Sequence, residues 1–250
     1  MVLTIAIARP EHRELLRDAV VGILAVALSL VAIGTLGANL LHLSAGYAVK
    51  SLALFAAGAG LMLLALPGSH RFARLGAANR VTIVRAALVA LLAGLAGEQA
   101  ARASAASAVV LASLAMMLDG VDGWLARRAG MASDFGARFD METDAAFVAV
   151  LAFLVWHFGK AGVWVLLSGL MRYLFAAASA LVPRLERPVP ATARGKTIAV
   201  TQMLVLVIAL APGCTRPASD LLAGCGLLAL IVSFSLDVVW RLRQSRPDAA

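Results

Sequence analysis

Long apolar runs alternate along the chain with short polar connections. The runs cover about residues 18–44, 47–67, 81–100, 104–126, 139–158, 160–183, 197–211 and 218–240. Most approach the roughly 20 residues that an α-helix needs to cross the hydrocarbon core of a bilayer. They predict eight spans and an all-α, polytopic membrane protein; a soluble helical bundle is the poorer alternative. Residues 1–68 read as a tail followed by a transmembrane hairpin, 69–243 as a six-helix membrane domain and 244–250 as a polar tail. Within the first 17 residues, Arg9, Arg13 and Arg17 beside Glu11 and Glu14 suit a short tail or interfacial helix. Ser69–Leu75 is short and amphipathic, which suits a helix at the membrane surface preceding the larger domain. The first apolar run is too long for a signal-peptide core and lacks a cleavage site.

Composition agrees with this pattern. The 250 residues are 62% hydrophobic and 14% charged, with a mean hydropathy of +0.90, too little polar surface for a soluble domain. The formal charge of +8 raises the question of nucleic acid, but the basic residues lie between the apolar runs and form no stripe with interleaved aromatics. Topology and anionic headgroups explain them, and nucleic acid is excluded as a partner in favour of membrane lipid. Arg9/Arg13/Arg17, Arg71/Arg74/Arg80, Arg127/Arg128/Arg138, Arg184/Arg187/Arg194/Lys196 and Arg241/Arg243/Arg246 all fall on one side, against Lys50, Arg102, Lys160 and Arg216 on the other. The positive-inside rule then places both termini in the cytoplasm. Cys214 and Cys225 match no metal-site spacing, and the four histidines are scattered. Gly58 and Gly60 lie inside an apolar run, where close helix packing explains them better than a nucleotide loop.

Candidate chemistry sits in one stretch, from Asp119 to Asp144. Asp119 and Asp122 are three residues apart and share a helix face; Asp140 and Asp144 are four apart and share a face of the next helix. Both pairs occupy the cytoplasmic ends of consecutive antiparallel helices, so they can converge. Carboxylates at membrane depth are costly unless paired, hydrated or metal-bound. Four such groups from two helices repel one another without a cation. Hard oxygen ligands suit Mg²⁺ or Mn²⁺ over Zn²⁺, and two such ions can clamp a pyrophosphate. Gly123 and Gly136 remove side chains where a ligand approaches the backbone, Ala126 is small, and Arg127 can meet a phosphate, cap a helix end or serve as a topology determinant.

These residues resemble the signature of the CDP-alcohol phosphotransferase family, D-x2-D-G-x2-A-R-x8-G-x3-D-x3-D. Asp119, Asp122, Gly123, Ala126, Arg127, Gly136, Asp140 and Asp144 fill its eight fixed positions. The resemblance implies a six-helix core preceded here by the extra hairpin, and a homodimer in a bacterial cytoplasmic membrane. It implies that Asp119, Asp122 and Asp140 are the principal metal ligands. It places Asp144 beside the second metal, acting as or near the base that activates the acceptor hydroxyl. Gly123, Ala126, Arg127 and Gly136 would line the CDP site.

Asn79, Thr82 and Arg85 resemble the N-x2-T-x2-R segment that opens the first core helix in many members. Asn79 and Thr82 become CDP contacts, while an N-cap and a snorkelling arginine explain the same residues structurally. Arg172, embedded in an apolar run, needs an anion or acceptor partner. Arg194-Gly195-Lys196, with Thr201 and Gln202 further on, resembles a G-K…T-Q region of phosphatidylglycerophosphate synthase-like members, but Ile198 and Ala199 replace its usual second lysine and threonine. Arg172, Arg194 and Lys196 are thus candidate acceptor ligands, with topology as their other explanation. The expected activity is transfer of a phosphatidyl group from CDP-diacylglycerol to a small polar alcohol, glycerol 3-phosphate being one candidate, with release of CMP. The alternatives are transfer of phosphocholine or phosphoethanolamine from a CDP-base to a lipid alcohol, and a cation transporter with an acidic site.

Overall fold

Helices occupy every apolar run. The computed structural model describes residues 10–69, 74–99, 101–129, 133–181 and 193–244, with side chains except at 10–12, 67–69, 122–129, 176, 179–181, 193 and 241–244. Among the described residues there are eight α-helices, one 3-10 helix and no strand. They are α1 (Pro10–Leu41), α2 (Tyr47–Ser69), α3 (Gly76–Gly94), α4 (Arg102–Ala129), α5 (Asp134–His157), α6 (Leu167–Leu181), α7 (Ala193–Leu210) and α8 (Ala218–Gln244), with the 3-10 turn Val163–Leu166 leading into α6. Among the described residues, five stretches are long and apolar enough to cross a membrane: Arg13–Leu41, Tyr47–Leu66, Gly76–Gly94, Arg102–Val121 and Ala218–Trp240. The chain is a polytopic helical membrane protein. The expected surface helix falls largely on residues 70–73, outside the described ones, and Arg74 and Leu75 are non-helical.

Most helices begin before the apolar run does, because arginines and aspartates extend them past the hydrocarbon. Helix α1 starts at Pro10, whose missing N–H costs nothing in a first turn. Helix α3 stops sooner than the apolar pattern, at Gly94, where the chain turns through Gly97 at φ +82°.

The chain divides into two compact units, Met1–Phe147 and Val148–Ala250. In the first, α1, α2 and α4 all pack on α3. One face of α1 buries Leu15, Ala19, Ile23 and Leu30, at helical spacing, while Leu24, Leu28, Leu36 and Leu40 stay exposed, as a lipid-facing surface requires. Small residues let the helices approach: a methyl at Gly34 would lie 3.3 Å from Ala48 Cβ, and one at Gly94 would run into the Ser51 hydroxyl and the Tyr47 ring. Gly58 and Gly60 have nothing within 4 Å, which corrects the packing role expected of them; the close contacts belong to other glycines.

Polar clamps fix both ends of this unit. Asp18 of α1 accepts the Leu75 N–H at 3.1 Å and pairs with Arg80 at 2.5 Å, at the start of α3. At the far end, buried Glu98 accepts the Ser44 N–H at 2.9 Å and its hydroxyl at 2.6 Å, and Lys50 donates to the Ala96 carbonyl at 2.5 Å.

In the second unit α7 packs on α8, and α6 and the 3-10 turn also meet α8. Gly169 of α6 abuts the Ala149 backbone, where a methyl would lie 2.6 Å from Cα. Lys160 donates to the carbonyls of Ala211 at 3.0 Å and Cys214 at 2.6 Å. Cys214 and Cys225 are both free thiols.

Candidate active site

Within the first unit, α4 and the N-terminal part of α5 bring three acidic residues together, and α3 adds an arginine. Ser133 starts α5 by accepting the Gly136 N–H at 3.1 Å, and Asp134 follows in the first turn, where an acidic side chain favours the helix N-terminus. Asp140 and Asp144 then emerge on one face, one turn apart. Asp119 reaches the same place from α4. Asp119, Asp140 and Asp144 each offer an oxygen, and these lie within 4.8 Å of one another.

At the centre of the group lies Arg85 of α3. Its Nη1 is 2.5 Å from Asp140 Oδ1, its Nη2 is 2.9 Å from Asp119 Oδ1, and Nη2 also pairs with Asp144 Oδ1. The arginine side chain is 2% exposed, against 28% for Asp119, 40% for Asp140 and 32% for Asp144. It is the deeper partner, and the carboxylates remain open to an approaching ligand. The sequence allows a snorkelling arginine at this position; instead the side chain is buried in ion pairs, because three carboxylates give it a better counter-charge than a distant headgroup would. The sequence motif contains Arg85 but gives no sign of these partners.

One guanidinium cannot neutralise three carboxylates. The excess negative charge, the hard oxygen donors and their mutual spacing fit a divalent cation of the Mg²⁺ or Mn²⁺ type. Asp122, Gly123, Ala126 and Arg127 belong to the same helix, but their side-chain positions lie outside the described residues.

Asn79 and Thr82 are buried on α3. The Asn79 amide donates to the Leu75 carbonyl at 2.6 Å, and the Thr82 hydroxyl donates to the Ala78 carbonyl at 3.2 Å. A methyl at Gly136 would lie 2.8 Å from Asn79 Oδ1, so the glycine lets the start of α5 close on this amide. That contact gives Gly136 a packing reason alongside its place in the motif.

Arg172, Arg194 and Lys196 belong to the second unit. Arg172 is half-buried on α6, whereas Arg194 and Lys196 are exposed on α7. Arg194 pairs with Asp237 of α8. Gln202, also on α7, is fully buried; its amide donates to the Ser168 hydroxyl at 3.0 Å, and its Oε1 has no hydrogen-bond partner.

Fold and site together define a polytopic helical membrane protein with an acidic triad whose oxygens could hold a metal ion. A family model described as CDP-alcohol phosphatidyltransferase matches residues 75–236, more than half of the chain, and the protein belongs to that family. It is therefore a transferase that moves a phosphatidyl or phospho-base group from a CDP-alcohol to an acceptor, in a membrane setting. No curated protein and no solved structure matches the chain.

Proposed function

We propose that this protein is a phosphatidyltransferase, which moves the phosphatidyl group of CDP-diacylglycerol to the hydroxyl of a small polar alcohol and releases CMP. One observation supports this above all: Asp119, Asp140 and Asp144, from two helices, present oxygens within 4.8 Å of one another. The family signature around them supports the nucleotide half of the reading.

In this reading Asp119, Asp122, Asp140 and Asp144 hold two divalent ions, Mg²⁺ or Mn²⁺. When bound, these ions supply charge stabilisation at the donor pyrophosphate. Asn79, Thr82, Gly123, Ala126, Arg127 and Gly136 line the CDP site. Asp144 accepts the proton of the acceptor hydroxyl, with Asp140 beside it. The hydroxyl oxygen forms a bond to the β-phosphorus, which carries the diacylglycerol. The bond from that phosphorus to the bridging oxygen breaks, and its electron pair leaves with CMP. Arg127 stabilises the negative charge that grows on the departing phosphate.

Arg172, Arg194 and Lys196 supply cationic side chains for a phosphorylated acceptor, and their number favours glycerol 3-phosphate over serine or choline. The basic connections support a catalytic end and both termini at the cytoplasmic face of a bacterial inner membrane. Family resemblance supports a homodimer.

Purified protein supplied with CDP-diacylglycerol, Mg²⁺ and a panel of radiolabelled alcohols and alcohol phosphates tests the reading. CMP release with label entering lipid from glycerol 3-phosphate supports it, and replacing Arg172 by Ala should then raise KM for that acceptor. Turnover only with CDP-choline or CDP-ethanolamine and a lipid alcohol would overturn it.

A further inference from the structure

Arg85 lies in the N-x2-T-x2-R segment, outside the eight-position aspartate signature, yet it pairs with Asp119, Asp140 and Asp144, the signature aspartates whose side chains are described. Helix α3 supplies the guanidinium, α4 supplies Asp119, and α5 supplies Asp140 and Asp144. A guanidinium this deep is strongly destabilising without anionic partners. Carboxylates this close repel one another in a medium of low dielectric. Each side of the cluster relieves the other, and the planar fork of an arginine can bond several carboxylates at once, as a lysine cannot.

The oxygens bonded by Arg85 belong to the same three carboxylates that can hold a metal ion. An ion taken by them therefore meets a fixed positive charge already attached to its ligands. That charge stabilises the carboxylates as a group, and it also repels the ion.

We propose that Arg85 is the built-in counter-cation of the triad: a positioning residue that holds Asp119, Asp140 and Asp144 together and lowers their affinity for a divalent ion. This rests on the reading of the triad as the metal site. It gives the arginine a role in ion affinity, separate from contact with the nucleotide. The fold then tolerates its acidic cluster at low ion concentration.

The test uses the full chain in detergent, with Mn²⁺ as the probe and the paramagnetic resonance signal of free Mn²⁺ as the readout, in the absence of substrate. Arg85→Met should bind Mn²⁺ roughly tenfold tighter or more than the natural protein. Arg85→Lys, which keeps the charge, should stay within about threefold. In chelator, Arg85→Met should melt at a lower temperature than the natural protein, and Mn²⁺ should raise its melting temperature by more. If Arg85→Met folds only when Mn²⁺ is present, that also supports the proposal.

Unchanged or weaker Mn²⁺ binding by Arg85→Met, in a protein whose Mn²⁺ binding is abolished by Asp140→Asn, would overturn the proposal alone. So would an Arg85→Met protein that saturating Mn²⁺ fails to stabilise. Mn²⁺ binding indifferent to Asp140→Asn would overturn it together with the metal-site reading beneath it.

Discussion

The carboxylate of Asp18 accepts the backbone N–H of Leu75 at 3.1 Å, which ties the first helix of the N-terminal hairpin to the start of α3. Leu75 is also the residue at which the family match begins. Helix α3 carries Asn79, Thr82 and Arg85, so a residue outside the matched region holds the segment that delivers the arginine to the aspartates. The hairpin thereby braces α3 at both ends, through Asp18 at one and through Glu98 and Ser44 at the other.

Replacing Asp18 by Ala removes the acceptor of the Leu75 N–H and the partner of Arg80. A loss of about 1–2 kcal/mol is expected, most of it from the backbone hydrogen bond to a charged acceptor. Asp18→Asn keeps an acceptor oxygen and gives up only the pair with the largely exposed Arg80, a change of about 1 kcal/mol or less. Thermal melting of the three proteins in detergent checks the order, and equal melting temperatures would show that the clamp contributes nothing.

Glu98 gives the fold a pH dependence at the opposite end. Burial raises its carboxyl, but hydrogen bonds from the Ser44 hydroxyl and N–H, with the Lys50 ammonium, outweigh burial and hold it below its ordinary value. A carboxyl held low in the folded state contributes stability above its unfolded value of ~4.3, and that contribution disappears as pH falls through the lower folded value. The gap in melting temperature between the natural protein and Glu98→Gln should therefore be widest near neutral pH and close as acid is added below about pH 4.3. A gap that stayed constant down to about pH 3 would contradict this.

The glycines separate into close and open sites. At Gly169 a methyl would lie 2.6 Å from Ala149 Cα, backbone that cannot move aside easily, whereas nothing lies within 4 Å at Gly58. Gly169→Ala should cost about 1–3 kcal/mol. Gly58→Ala should be neutral or stabilising by up to ~1 kcal/mol, since alanine is the better helix former. Melting the two variants side by side distinguishes them, and equal effects would refute the packing account.

The sequence displays the fold in its apolar runs, because a helix that crosses lipid must bury its backbone polar groups in itself and clothe them in apolar side chains. All eight runs coincide with helices, with ends displaced where polar residues such as Arg13 and Asp134 extend the helix beyond the run. The meeting of Asp119 with Asp140 and Asp144 is legible for a similar reason: two short spacings and one short connection leave little freedom. Arg85 is different. Its partners come from helices α4 and α5, and nothing in the local pattern of α3 separates an arginine bonded to carboxylates from one reaching towards headgroups. The partners of Asp18 and Glu98 are equally hidden, since each involves a backbone N–H, which every residue but proline possesses. Gly58 and Gly60 mislead because small residues mark close packing only where another helix is present.

The measurement that bears most directly on the transferase reading is release of CMP from CDP-diacylglycerol, with Mg²⁺ and glycerol 3-phosphate, by the natural protein and by Asp140→Asn. The natural protein should release CMP in step with formation of a phospholipid, and the variant should be slower by about 100-fold or more, as expected when a charge-stabilising group is removed from an active site. Equal CMP release by the two proteins, or cation flux through liposomes with no nucleotide turnover by either, would contradict it.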